Sequence, residues 1–103
     1  MDLLIGTDQT IILSSLANEN GEAVTNATVE ATLTTIGGEE VQGQNWPVSL
    51  SHEGNGKYQT VLEDTLDLTP GRHYVITVVA ELGQTKRTWR QTFKARWSNF
   101  NGR

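Results

Sequence analysis

Few side chains in this sequence are equipped for chemistry. Cysteine is absent and the only histidines are His52 and His73. That removes disulfides, thiolate nucleophiles, redox pairs and thiolate metal sites. A hydrolytic triad needs a hydroxyl, an imidazole and a carboxylate brought together, and the nearest local set is Ser49, Ser51, His52 and Glu53. His52 stands just before Gly54-Asn55-Gly56, at the mouth of a hairpin, with no nucleophile elbow and no glycine-rich oxyanion loop beside it. It reads as a solvated turn histidine. His73, of outward parity opposite to Tyr74, reads the same way. Glu63, Asp64 and Asp67 offer oxygen ligands of the kind calcium takes, but their spacing is not that of an EF-hand loop. Solvated loop charge is the main reading there, with a weak calcium site near Asp64 and Asp67 as the alternative. The expectation is a non-enzymatic chain with no catalytic residue, no cofactor and no bound metal.

Recognition is the chemistry that remains, and the charge pattern locates it. The chain carries 8 basic and 12 acidic residues, a net charge of -4, which disfavours nonspecific contact with nucleic acid or an anionic membrane. All the carboxylates precede residue 82, with only Lys57 and Arg72 among them, whereas Lys86, Arg87, Arg90, Lys94, Arg96 and Arg103 close the sequence. The last strand is therefore a basic stripe on an acidic body. Arg90, Lys94 and Arg96, interleaved with Thr88 and Thr92, form the candidate interaction surface, and Trp97, where the core thins out, is its candidate aromatic contact. The competing reading is a solvated sheet face whose charges resist unwanted pairing. If the stripe docks, copies could meet basic strand to acidic body in a repeating heterologous contact. Trp46, Tyr58, Tyr74, Trp89 and Phe93 fall at positions that alternate with aliphatic neighbours and are expected in the core.

The elements that carry these residues read as strands. The 14 Thr, 8 Val and 5 Ile make the chain rich in β-branched residues, which fit a pleated surface. Period-two alternation recurs between turn signals. In residues 26–35, Ala27, Val29, Ala31 and Leu33 face one way and Thr28, Glu30, Thr32 and Thr34 the other, the pattern of a half-buried antiparallel strand. Residues 3–5 and 10–15 read as short early strands, and a short segment follows Gly37-Gly38 at 40–42. Trp46, Val48 and Leu50 alternate behind Pro47, which favours an edge or a strand start. Gly54-Asn55-Gly56 then joins that strand to residues 57–63. Residues 73–81 and 85–97 form a long pair around Gly83, with Tyr74, Ile76, Val78 and Ala80 inward on the first. One domain accounts for 103 residues. It is expected over residues 1–97, with 98–103 as a mobile tail. About seven strands without helical periodicity predict an all-β antiparallel sandwich rather than a barrel.

Several short motifs carry a resemblance. Leu68-Thr69-Pro70-Gly71-Arg72-His73-Tyr74 resembles the tyrosine corner of immunoglobulin-like and fibronectin type III domains, without the antibody-type cysteine pair. The stretch from Asn20-Gly21 through Val24 to Ala27-Thr28-Val29, followed by Gly56-Lys57-Tyr58, is similar to bacterial immunoglobulin-like domains of adhesins and periplasmic modules. A narrower likeness spans residues 3–97 and includes Gly6-Thr7-Asp8, Trp46-Pro47-Val48 and Trp89-Arg90. In these the chain resembles small immunoglobulin-like proteins from the structural gene clusters of tailed bacteriophages and prophages. That resemblance implies an immunoglobulin-like fold and a virion or assembly role, with protein partners among other virion components and a homo-oligomer as an option. The alternative is a ligand-binding or adhesin-type module. The opening Met1-Asp2-Leu3-Leu4-Ile5-Gly6 lacks a basic stretch leading into an apolar run, and no segment approaches the roughly 18 apolar residues of a membrane span. The expected location is host cytoplasm during assembly and then the virion, with neither nucleic acid nor membrane as partner.

Overall fold

A computed structural model of the chain describes residues 2–14, 16–18 and 20–97. Its elements are β1 (Asp2–Ile5), β2 (Gln9–Leu13), β3 (Thr28–Thr35), β4 (Val48–Ser49), β5 (Ser51–Gly54), β6 (Lys57–Leu62), β7 (His73–Leu82) and β8 (Thr85–Trp97), with no helix among the described residues. They form a five-stranded sheet in the order β1-β8-β7-β3-β4 and a three-stranded sheet in the order β2-β6-β5. One apolar core lies between the sheets, as in a β-sandwich. Eight strands rather than about seven are described because the chain changes sheets at Leu50. β4 pairs with β3 in the larger sheet, β5 pairs with β6 in the smaller, and the buried Leu50 spans the gap. Residues 40–42 make only an isolated bridge to β3, where Glu40 faces Thr34.

Side-chain alternation decides which face of each strand enters the core. On β3, Val29, Ala31 and Leu33 are buried while Thr28 is exposed and Glu30 and Thr32 are half-buried. β7 repeats the pattern with Tyr74, Ile76, Val78 and Ala80. A fully covered aliphatic such as Leu33 contributes roughly 1.5–3 kcal/mol by leaving water. Two tyrosines add directed bonds to that burial. Tyr74 is buried, and its hydroxyl accepts the Thr69 N–H at 2.8 Å, so the corner expected from the sequence forms and ties the preceding loop to the start of β7. Tyr58 does the same for the loop before β3. Its hydroxyl donates to the Val24 carbonyl at 2.9 Å and accepts the Ala27 N–H at 3.2 Å.

The β5–β6 hairpin forms where Gly54-Asn55-Gly56 predicted it, with all three residues at positive φ. Gly56 is also fixed by space, since a Cβ there would lie 2.5 Å from the Leu16 carbonyl oxygen.

The strands differ greatly in length, and this shapes one side of the molecule. β8 has 13 residues and β1 only 4. At about 3.3 Å per residue, β8 alone runs close to the 43 Å long axis. β1 lies parallel to β8 and covers only its last part, with Asp2 opposite Lys94 and Ile5 opposite Trp97. Among the described residues all other strand pairs are antiparallel, so the expected antiparallel architecture has one parallel exception there. Residues 85–92 of β8 are exposed throughout, whereas Phe93 and Ala95 are buried. Trp89, expected in the core, is 37% exposed, because β1 stops short of it and the smaller sheet does not cover it. Trp46 is half-buried against the core, its indole N–H donating to the Val41 carbonyl at 2.6 Å. Residues 98–103, read as a tail, lie outside the described residues.

Candidate functional site

Of the four residues that could supply a triad, the fold sets Ser49 apart from the other three. Ser49 is on β4 in one sheet, while Ser51, His52 and Glu53 are on β5 in the other. The His52 Nε2 accepts the Gly56 N–H at 3.2 Å, and the ring lies against Tyr58 with centroids 5.0 Å apart. That lone pair closes the hairpin, so the imidazole acts as a turn acceptor with its ring resting on the core tyrosine. His73 is exposed and opposite Lys94 in the register. Glu63, Asp64 and Asp67 are exposed, and the bonds around them run through backbone. The Asp64 N–H donates to Asp8 Oδ1 at 2.7 Å and the Asp67 N–H to the Gln42 carbonyl at 2.9 Å. Among the described residues no three His, Asp or Glu side chains come together in a way that could hold a metal ion.

The basic strand is organised more tightly than its sequence shows. Arg90, Lys94 and Arg96 share one parity and lie on the outer face of the five-stranded sheet. Arg96 is engaged within the molecule, its Nε donating to Asp2 Oδ2 at 2.6 Å and its Nη1 to the Trp97 carbonyl at 3.3 Å. Both partners of this pair are about half exposed, so it contributes about 0–1 kcal/mol. Arg90 lies between Thr77 and open solvent and makes no ion pair among the described residues. Trp97 has the opposite parity and projects over the β1–β2 turn, 61% exposed. Gly6 lies beneath it at positive φ, where an added Cβ would sit 3.1 Å from the indole. Arg90 and Lys94 therefore belong to one surface and Trp97 to another, with Arg96 linking them through Asp2 and the Trp97 carbonyl.

Beside this surface the sandwich opens into a groove of about 500 Å³ between β8 and β2. Its apolar lining includes Ile11, Leu13, Ile76, Val78, Trp89 and Phe93. Sequence parity placed Trp89 and Phe93 on the inward face of the strand but carried no information on how far the opposite sheet extends. Gln9 makes a further contact that has no local signal in the sequence. Its side-chain amide accepts the Leu4 N–H and donates to the Leu4 carbonyl, both at 3.1 Å. That closes the outer edge of β1.

Comparison of the chain with protein-family models, curated proteins and solved structures gives no match.

Proposed function

We propose that this chain is a non-enzymatic protein-interaction module with an immunoglobulin-like sandwich fold, of the kind that serves in tailed-phage or prophage particles and their assembly. The fold part of the proposal is supported by the sheet order, in which β1 joins β8, β7 and β3 opposite β2, β6 and β5, and by the tyrosine corner at the penultimate strand. The virion part is supported by the motif resemblance that runs from residue 3 to residue 97. Assembly in host cytoplasm followed by residence in the particle is the location this role entails.

One observation carries the interaction reading. The longest of the described strands leaves residues 85–92 exposed and presents Arg90 and Lys94 to solvent on a chain whose remainder is acidic. An acidic surface of a partner, or of a second copy, is the complement. Light scattering behind a sizing column tests self-assembly across a salt series, on the wild-type chain and on an Arg90→Glu, Lys94→Glu double variant. Association that weakens as salt rises and disappears in the variant supports the proposal, because exposed charge contacts are screened beyond about 10 Å at 0.1 M salt. Association indifferent to both changes would contradict it, and a monomer at every salt would remove copies of this chain as the partner.

A further inference from the structure

We infer that the uncovered edge of β8 is a strand-addition site for an extended segment of another polypeptide in which apolar and acidic side chains alternate. The inference rests on the reading of β8 as the interaction surface and adds the mode of contact and the chemistry of the partner.

The backbone comes first. The Ala95 N–H donates to the Arg72 carbonyl at 2.9 Å, and the Ala95 carbonyl accepts the Gly71 N–H at 2.8 Å. Both bonds lie on the side of β8 that faces the β7 end. Successive residues of a strand turn their backbone groups to opposite edges, so those of Lys94 and Arg96 face β1. The β7–β8 register runs without a slip from His73 opposite Lys94 to Leu82 opposite Thr85. The alternation therefore continues down β8, and the N–H and C=O groups of Thr88, Arg90 and Thr92 point to the edge that β1 does not reach. No described strand pairs there. Sheet edges of this kind are templates for pairing unless they are blocked. The outer edge of β1 is blocked by the Gln9 amide. The edge of β8 carries cationic side chains instead, which repel a like-charged strand and admit an acidic one.

The side chains name the partner. A strand laid beside β8 sends alternate residues into the groove lined by Ile11, Leu13, Trp89 and Phe93, and the others to the outer face beside Arg90 and Lys86, the latter standing opposite Glu81 in the register. β1 already occupies the last part of the same line with this chemistry. Leu3 and Ile5 are buried in the core, and the outward Asp2 pairs with Arg96 at 2.6 Å. Along residues 86–92 Lys86 and Arg90 face outward in the same way, and Trp89 faces inward between Arg87 and Gln91, where the groove begins. The occupant that fits is a stretch of about seven residues with aliphatic side chains inward and carboxylates outward.

The test uses the full chain, isotopically labelled, and an end-capped synthetic peptide of about nine residues alternating valine with glutamate. Saturable binding is expected, with amide exchange at Thr88, Arg90 and Thr92 slowed by at least ~10-fold while Trp89 and Gln91, already bonded to β7, stay unchanged. Trp89→Glu, which puts a carboxylate into the groove floor, and Thr88→Pro, which removes an edge donor, should each weaken binding by at least ~10-fold. Retained β7–β8 amide protection reports that each variant is folded, and Trp89→Glu carries the test if the proline variant is not. A peptide of the same composition with its valines in one block should bind at least ~10-fold more weakly. Equal binding of the block peptide, or binding without added protection at the three amides, refutes strand addition and leaves β8 as a charged contact surface. No binding of the alternating peptide, alongside association lost in the Arg90→Glu, Lys94→Glu variant, also refutes strand addition alone. No binding together with charge-independent association refutes both proposals.

Discussion

β8 holds two regions that share one sequence pattern and have opposite surroundings. In residues 93–97 the inward side chains Phe93 and Ala95 are buried, β1 covers the outer edge, and Arg96 is paired with Asp2. In residues 85–92 the inward Trp89 is part-exposed, the outer edge has no described strand partner, and Arg90 has no ion pair among the described residues. The outward charge alone does not separate the two, since Lys86 and Arg90 in one and Lys94 and Arg96 in the other all point to the outer face. Coverage does, and coverage is set by the lengths of β1 and of the opposing sheet. The first region behaves as framework and the second as surface, within a single continuous strand.

The largest expected effect breaks this comparison directly. Phe93→Ala should cost about 3–5 kcal/mol of unfolding free energy, the range for a large buried aromatic, whereas Trp89→Ala should cost about 1 kcal/mol. Denaturant titration of the two variants measures the contrast, and equal losses would mean that residues 85–92 are packed as well as the rest. Next in size is Tyr74→Phe. Tyr74 is opposite Phe93 in the register, and its hydroxyl accepts the Thr69 N–H, so the variant should lose about 1–2 kcal/mol with the sheet register intact. An unchanged midpoint would mean that the corner adds nothing to the covered region.

Much of this frame is legible in the sequence. The alternation of Val29, Ala31 and Leu33, the inward set from Tyr74 to Ala80, the Gly54-Asn55-Gly56 turn and the corner at Tyr74 are local patterns, and local patterns survive translation into structure. Trp89 is different. Its parity is inward, as read, but burial depends on what lies opposite, and the extent of β2 relative to β8 is a long-range property with no local trace. The same holds for the parallel seat of β1 and for the Gln9 amide that seals it. Arg96 shares its charge and parity with Arg90 and Lys94, while its engagement by Asp2 comes from the other end of the chain. The candidate surface was thus legible as a strand and a charge, and its division into a sealed part and an open part was not.

Two smaller effects sharpen the division. Gln9→Ala should cost about 1 kcal/mol by freeing both backbone groups of Leu4, and should speed exchange of the Leu4 amide without altering residues 85–92. Asp2→Ala should cost about 0–1 kcal/mol, less at high salt, since the pair it breaks is half exposed. A thermal melt at two ionic strengths reads the second of these. A loss above about 2 kcal/mol would place Asp2 in the framework rather than on its rim.

Amide hydrogen exchange along β8 in the free, dilute chain tests the central claim most directly. The account predicts a period-two profile through residues 86–92, with Thr88, Arg90 and Thr92 exchanging fast and Trp89 and Gln91 slowly, giving way to uniform protection from Lys94 to Arg96 where β1 covers the edge. Uniformly slow exchange through residues 86–92 would contradict it, because the edge read as open would then already be paired.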